Sequence, residues 1–276
     1  MKKDVMIVTG AGQISMAIAR RVGFGKKIVL GDKKIENAKT VASVMTEAGF
    51  DVVPFETDIS DRSAVLALIA EAEKFGSIRY LVNGAGVSPS QASIETILKV
   101  DLYGTAVLLE EVGKVIAERG SGVTISSQSG WRMPQLSAEE DRLLAETSAE
   151  ELLDLDILRP ERIRDTLHAY QMAKRCNEKR VMAECVKWGA RGARLNGIAP
   201  GIIVTPLAVD EFNGPRGGFY KNMFAKCPAG RPGTADEVAN VAQLLLSDAG
   251  AFITGSTVLI DGGATASYFY GPLRPE

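Results

Sequence analysis

Tyr170 and Lys174 stand four positions apart in the stretch Thr166 to Lys187, whose residue types read as a helix. Four residues is just over one helical turn, so both side chains leave the same face and the phenol lies beside the ammonium. A phenol with an ordinary pKa near ~10 exchanges a proton with a carbonyl or alcohol oxygen near neutral pH only when a fixed cation favours its phenolate form. The pair therefore suits acid–base work at an oxygen; taken alone, such a spacing is far more often an ordinary helix face. His168, the one histidine of the chain, lies two residues before Tyr170 and points elsewhere on the helix, which favours a solvated role and excludes a serine-hydrolase triad with a histidine base elsewhere. Cys176, Cys185 and Cys227 are odd in number and lack metal-ligand spacing, so neither a disulfide framework nor a metal site is expected.

Positioning such a pair needs a rigid frame, and the 276 residues are enough to bury one. Strand-like runs alternate with amphipathic stretches from Val5 to about Leu246, with no long linker between them. The strands are expected at Val5–Val8, Lys27–Leu30, Asp51–Phe55, Tyr80–Asn83, Gly122–Ser126, Arg194–Ile198 and Thr257–Ile260. Helices are expected near Ile14–Val22, Ile35–Ala48, Ser63–Lys74, Ile97–Glu118, Thr166–Lys187 and Ala235–Leu246. This alternation predicts a single α/β domain, a doubly wound parallel sheet of about seven strands with helices on both faces. A net charge of −2 gives no reason to expect nucleic acid or an anionic membrane as partner. No apolar run is long enough to span a bilayer, and Met1-Lys2-Lys3 leads directly into a strand, so a cytoplasmic setting is expected.

The first strand runs into Thr9-Gly10-Ala11-Gly12-Gln13-Ile14-Ser15 and then a helix. Glycines there let the backbone turn sharply and approach a pyrophosphate seated at the helix N-terminus. The third small position is Ser15 instead of glycine; its hydroxyl is free to cap the helix or meet a phosphate. The second strand ends at Asp32, 22 residues after Gly10, where a carboxylate accepts hydrogen bonds from ribose hydroxyls and repels a 2′-phosphate. NAD is therefore the expected cofactor. NADP is the alternative, since Lys33 and Lys34 follow at once.

Seven motifs stand together in order: Thr9 to Ser15, Asp58-Ile59, Asn83-Gly84-Ala85-Gly86, Ser126-Ser127-Gln128-Ser129-Gly130, Tyr170-x-x-x-Lys174, Pro200 to Thr205, and Asp261-Gly262-Gly263. In this order the chain resembles the short-chain dehydrogenase/reductase family along nearly its whole length. The resemblance implies a Rossmann-type domain in which Asp58 and Ile59 contact adenine, the Asn83 to Gly86 run lines the nucleotide cleft, and Pro200, Gly201, Ile203 and Thr205 hold the nicotinamide amide. It also implies that Ser127 hydrogen-bonds the substrate oxygen, Tyr170 passes a proton to it, and Lys174 lowers the tyrosine pKa and binds the nicotinamide ribose.

Two departures from the family stand out. Asp101 replaces the usual asparagine of the long fourth helix, keeping an acceptor but adding a charge and losing the amide donors. It is either a member of the proton relay, pairing with Lys174, or a brace for a helix kink. Secondly, 43 positions separate Ser127 from Tyr170, far more than the short turn usual in the family. The extra segment, about 135–165, holds ten Asp or Glu and four Arg. Its two S-x-x-E sequences, Ser137–Glu140 and Ser148–Glu151, predict capping boxes, and Pro160 suits the first turn of a further helix. Its leucines either wall a substrate pocket or pack on an outer helix or subunit interface. Carbonyl reductases and some hydroxysteroid dehydrogenases of the family carry inserts here. The negative charge of the insert argues against acidic carriers or phosphorylated substrates.

A second segment, about 206–228, interleaves Phe212, Phe219, Tyr220, Met223 and Phe224 with glycines and reads as a mobile pocket wall or a satellite core. The tail carries Tyr268, Phe269 and Tyr270, and such tails lie at subunit contacts in the family, which implies a homo-oligomer. The expected activity is that of an NAD(P)-dependent carbonyl reductase or secondary alcohol dehydrogenase on an apolar or bulky small molecule. The alternatives are an enoyl-type double-bond reductase, against which Leu167 stands where that group has its tyrosine, and a dinucleotide-sensing protein without turnover.

Overall fold

The computed structural model describes residues 3–214 and 217–275. Seven strands, β1 (Lys3–Thr9), β2 (Lys27–Asp32), β3 (Asp51–Glu56), β4 (Gly76–Asn83), β5 (Ser121–Ile125), β6 (Arg194–Pro200) and β7 (Thr257–Ile260), form one sheet. Their order is β3-β2-β1-β4-β5-β6-β7, and every pairing is parallel. The order reverses between β1 and β4, which leaves a crevice at the carboxyl ends of those strands.

Side-chain alternation explains the two covered faces. Along β1, Val5 and Ile7 join one buried cluster while Met6 and Val8 join another. On the first face lie α3 (Arg62–Glu73), the helix formed by α4 (Ile94–Ile97) and α5 (Thr105–Val115), and α9 (Thr166–Ala190). The other face is covered by α1 (Gln13–Val22), α2 (Ile35–Glu47) and α12 (Ala235–Leu246). Trp188 of α9 is wholly buried and donates its indole N–H to the Leu109 carbonyl at 3.1 Å. It fits because Gly113 and Gly122 carry no side chain: a Cβ on either would lie 2.6 or 2.8 Å from the indole.

The expected strands are all present, several of them longer by a few residues, and the helices agree except one. The single helix expected over Ile97–Glu118 contains a π-helical segment, Leu98–Gly104, between α4 and α5, and it ends at Val115. Wide turns of this kind displace one residue from the regular ladder. Asp101 sits inside it, wholly buried.

After β5 come α6 (Gln128–Trp131), then α7 (Ala138–Glu146) and α8 (Ala149–Leu152) of the insert. Ser137 and Glu140 form a full capping box, whereas Ser148 makes no cap to the backbone and its hydroxyl donates to the Glu151 carboxylate at 2.7 Å. Pro160 lies in a turn instead of opening a helix. Leu144, Leu152, Ile157, Leu158 and Ile163 extend the first-face core, so the insert packs on α5 and α9. Charges fasten it: Arg175 holds Asp141 through two bonds of 2.9 and 2.6 Å, and Lys179 reaches the same carboxylate at 2.9 Å. Arg180, 1% exposed, bonds Glu110 at 3.3 Å and the Thr147 carbonyl.

The chain ends with α10 (Pro206–Asn213) and α11 (Gly217–Lys226) before α12, and α13 (Ala264–Tyr270) after β7. Phe212 stacks edge-on with Tyr220 and Phe224 at 5.3 and 5.4 Å between ring centres. Among the described residues no helix is long and apolar enough to cross a membrane, and the three cysteines are unpaired.

Candidate active site

A cleft of about 1020 Å³ opens along the carboxyl ends of β1, β4, β5 and β6. Its floor begins at the β1–α1 turn, where Gly10 has φ +79° and a Cβ would lie 2.7 Å from the Ala85 backbone. Only glycine lets the two loops close on each other there. Around Gly12, which precedes α1, a Cβ would meet nothing within 4 Å. The helix N-terminus is thus open to the cleft, a ready place for a phosphate. The Ser15 hydroxyl does not cap this helix; it donates back to the Thr9 carbonyl at 3.3 Å. Gly84 must be glycine beside it, because a Cβ there would lie 2.2 Å from the same hydroxyl oxygen.

Asp32 stands at the end of β2, beside the glycine turn. Its carboxylate accepts the Ala11 N–H at 2.8 Å and the Lys34 N–H at 2.9 Å, which fixes it beside the glycine turn. Lys33 is engaged with Asp58 at 2.7 Å, a contact that helps hold that carboxyl below its usual range against the opposing effect of burial.

The reacting end is built by β5, α6 and α9. Ser127 is the residue before α6 and its oxygen accepts the Ser129 N–H at 3.2 Å, so its own O–H remains available to a partner in the cleft. Asp165 starts α9 by accepting the His168 N–H at 2.8 Å, and the helix carries Tyr170 and Lys174 to the cleft wall. The Lys174 ammonium lies 5.1 Å from the Tyr170 ring centre. His168 does not line the cleft; its Nδ1 accepts the Arg164 N–H at 3.2 Å.

Asp101 stands behind this pair. Its Oδ1 accepts the Val87 N–H at 2.8 Å, and Oδ2 lies 3.9 Å from the Lys174 nitrogen with no hydrogen bond of its own. Gly86 makes the approach feasible, since a Cβ there would sit 2.8 Å from Asp101 Oδ1. Burial pushes the Asp101 carboxyl upward, against the opposing charge of Lys174 and the Val87 bond. For Lys174, burial pulls the ammonium down, but Asp101 and Tyr170 more than restore it and the net direction is up.

Gly12, Gln13, Ile14, Ser15, Gly84, Ala85, Gly86, Ser127, Tyr170, Lys174, Pro200, Gly201, Ile203 and Thr205 therefore share one cleft. Gly10, Asp32, Asp58, Ile59 and Asn83 do not line it. Asn83, expected along the nucleotide cleft, is instead a buried clamp: it accepts from Thr9 at 2.8 Å and donates to Thr124 at 2.9 Å and Thr105 at 3.3 Å, tying β1, β4 and β5 to α5. No residue of the insert lines the cleft, so its acidic charge does not face the substrate. The aromatic segment serves both expected roles. Phe219, Tyr220 and Met223 wall the cleft, while Met223 also packs with Cys227 and Ala264. Arg132, Gln171 and Tyr268 line the cleft without having been anticipated. Arg132 follows the Ser127–Gly130 motif directly, but nothing in its residue type separates it from a surface arginine. A smaller cavity of about 180 Å³ behind Gly201 and Ile203 holds none of the reacting groups.

Comparison with known proteins agrees with this geometry. A family model described as short chain dehydrogenase matches residues 4–138, and one described as Enoyl-(Acyl carrier protein) reductase matches 136–265. The chain is 37% identical to short-chain dehydrogenase/reductase bsc3 of Alternaria brassicicola over 96% of its length and 97% of that protein. It is 31% identical to D-threitol dehydrogenase of Mycolicibacterium smegmatis over 95% and 92%. The crystal structure of levodione reductase superposes with a TM-score of 0.77 at 26% identity, covering 96% of this chain and 98% of that one. The chain belongs to the short-chain dehydrogenase/reductase family, oxidoreductases acting on CH–OH and C=O groups.

Proposed function

We propose that the chain interconverts a ketone and a secondary alcohol, with NAD as the hydride carrier, through Ser127, Tyr170 and Lys174. The observation that carries this reading is the buried Lys174 ammonium 5.1 Å from the Tyr170 ring on the wall of a cleft that also presents Ser127. The open α1 N-terminus, the glycine edges at Gly10 and Gly84 and the fixed carboxylate of Asp32 fit a dinucleotide. When bound, the nicotinamide supplies or accepts the hydride at the substrate carbon.

The residues of the chain handle the oxygen. The Ser127 O–H donates to it and fixes its place; Tyr170 gives it a proton in the reductive direction and removes one in the oxidative direction. Lys174, kept charged by Asp101, favours the phenolate that remains. Asp101 therefore supports the lysine as a buried counter-charge, and the relay expected of it runs through that ion pair.

Asp32 favours NAD, and the ion pair of Lys33 with Asp58 leaves Lys34 as the neighbouring ammonium for a 2′-phosphate. A cytoplasmic setting and a homo-oligomer belong to the same proposal, and light scattering of the purified protein measures the latter. The test is nicotinamide absorbance with NADH and NADPH against a panel of ketones, run on wild type and Y170F. Expected are turnover with NADH above NADPH, and a loss of about 100-fold or more in Y170F with cofactor binding retained. Y170F turning over at the wild-type rate, or no turnover of any ketone by wild type, overturns the reading.

A further inference from the structure

One charge in the cleft is used by neither the cofactor contacts nor the proton path. Arg132 lines the cleft, with its guanidinium carbon 5.6 Å from the ring centre of Tyr268, which lines it too. Among the described residues no carboxylate lies within ion-pair distance of Arg132. Asp261 is the acid whose charge reaches it, yet both Asp261 oxygens already accept N–H groups, of Gly263 at 2.9 Å and Thr265 at 2.7 Å. Burial pulls the guanidinium below its usual pKa more than Asp261 and Tyr268 restore it, though an arginine stays charged. A partly desolvated cation without a counter-ion carries a cost that a ligand bringing the anion removes.

The position of Arg132 separates substrate from cofactor. The nucleotide end lies at the β1–α1 turn and Asp32, whereas Arg132 stacks on α13, the helix that follows β7 at the opposite edge of the sheet. Ser127 and Tyr170 lie between these ends. Among the described residues no aspartate or glutamate lines the cleft, and its lysine, Lys174, faces Asp101. One planar guanidinium matches one negative charge and the two-oxygen geometry of a carboxylate, while a dianionic phosphate calls for a second cation. The same cleft has Leu167, Phe219, Tyr220 and Met223 as apolar wall.

We propose that Arg132 is the carboxylate subsite of this cleft, so that the substrate is an oxo- or hydroxy-acid with an apolar body and its anionic end on Arg132. The proposal rests on the oxidoreductase reading above and names its substrate class. Holding the far end of the substrate also orients the carbonyl towards Ser127 and Tyr170.

The test pairs benzoylformate, 3-benzoylpropionate and 4-benzoylbutyrate with their methyl esters, measuring kcat/KM with NADH for wild type, R132Q and R132K. Wild type is expected to favour at least one acid over its ester by roughly 10- to 100-fold, the range of a charge-assisted hydrogen bond. R132Q is expected to bring that ratio close to one, and R132K to recover part of it. Equal or better turnover of every ester by wild type, or an unchanged ratio in R132Q, overturns the subsite even if the enzyme reduces ketones well. If no ketone is turned over, the oxidoreductase reading falls, and thermal melting with NAD and each acid then decides the subsite separately. Stabilisation by an acid in wild type that is lost in R132Q upholds it; no stabilisation in wild type overturns it.

Discussion

Glu178 lies one turn beyond Lys174 on α9, only 7% exposed, with Oε1 accepting the Ser126 hydroxyl at 3.3 Å. Burial pushes its carboxyl from 4.5 up to about 7, against the pull of Arg175, Ser126 and Lys179. Between these values the folded protein keeps a proton that the unfolded chain has released. Stability contributed by this group is therefore complete below pH 4.5, falls as pH rises and is lost by about pH 7. A rise of that size corresponds to about 3 kcal/mol at one pKa unit per ~1.4 kcal/mol. Glu178→Gln removes the titration while keeping an acceptor for Ser126. Urea unfolding at a series of pH values should show the variant more stable than wild type by up to about 3 kcal/mol at pH 8, with the two within about 0.5 kcal/mol near pH 4.5. A difference independent of pH, or one that grows towards acid, refutes the reasoning.

Asp101→Asn removes the charge that holds the Lys174 ammonium up, so burial prevails and the alkaline limb of the kcat–pH profile moves to lower pH; an unmoved limb shows that Asp101 does not act through the lysine. Arg180→Met leaves the Thr147 carbonyl beneath the insert without its donor, while Glu110 keeps Arg62 and the Ala149 N–H; this should destabilise the protein by about 1–3 kcal/mol and hasten proteolytic cleavage within 135–165, whereas wild-type melting and cleavage rates would show that the insert is held by its leucines alone.

Much of this architecture is legible in the sequence because its signals are local. Val5 and Ile7 against Met6 and Val8 declare two buried faces by alternation alone, and the Tyr170–Lys174 spacing fixes a shared helix face. The π-helical turn at Asp101 is not legible in this way, because it depends on how that helix packs on α9 and the Val87 backbone. Ser148–Glu151 has the letters of a capping box, but the Ser148 hydroxyl bonds the Glu151 side chain and Glu110 takes the Ala149 N–H at 3.1 Å, so a tertiary partner does the capping. Ser15 and Asn83 carry side chains able to meet a ligand, and their bonds to neighbouring strands become visible only once β1, β4 and β5 are side by side. The same holds for Arg132 and Tyr268, which lie 136 positions apart and meet only across the finished cleft.

The strand order has a consequence for a chain made from its N-terminus. Once Glu56 has emerged, β1, β2 and β3 can pair with one another, but the inner edge of β1 stays open until β4 follows 20 residues later. That edge, bearing the buried Val5 to Val8, is an apolar template open to mispairing until then. Lys174 trails Glu56 by 118 residues, roughly 6 to 24 s of synthesis at ordinary rates. The β1–α1 glycine turn and Asp32 thus exist well before Tyr170 and Lys174. For that interval the growing chain carries its glycine turn without the acid–base pair that faces it in the finished cleft.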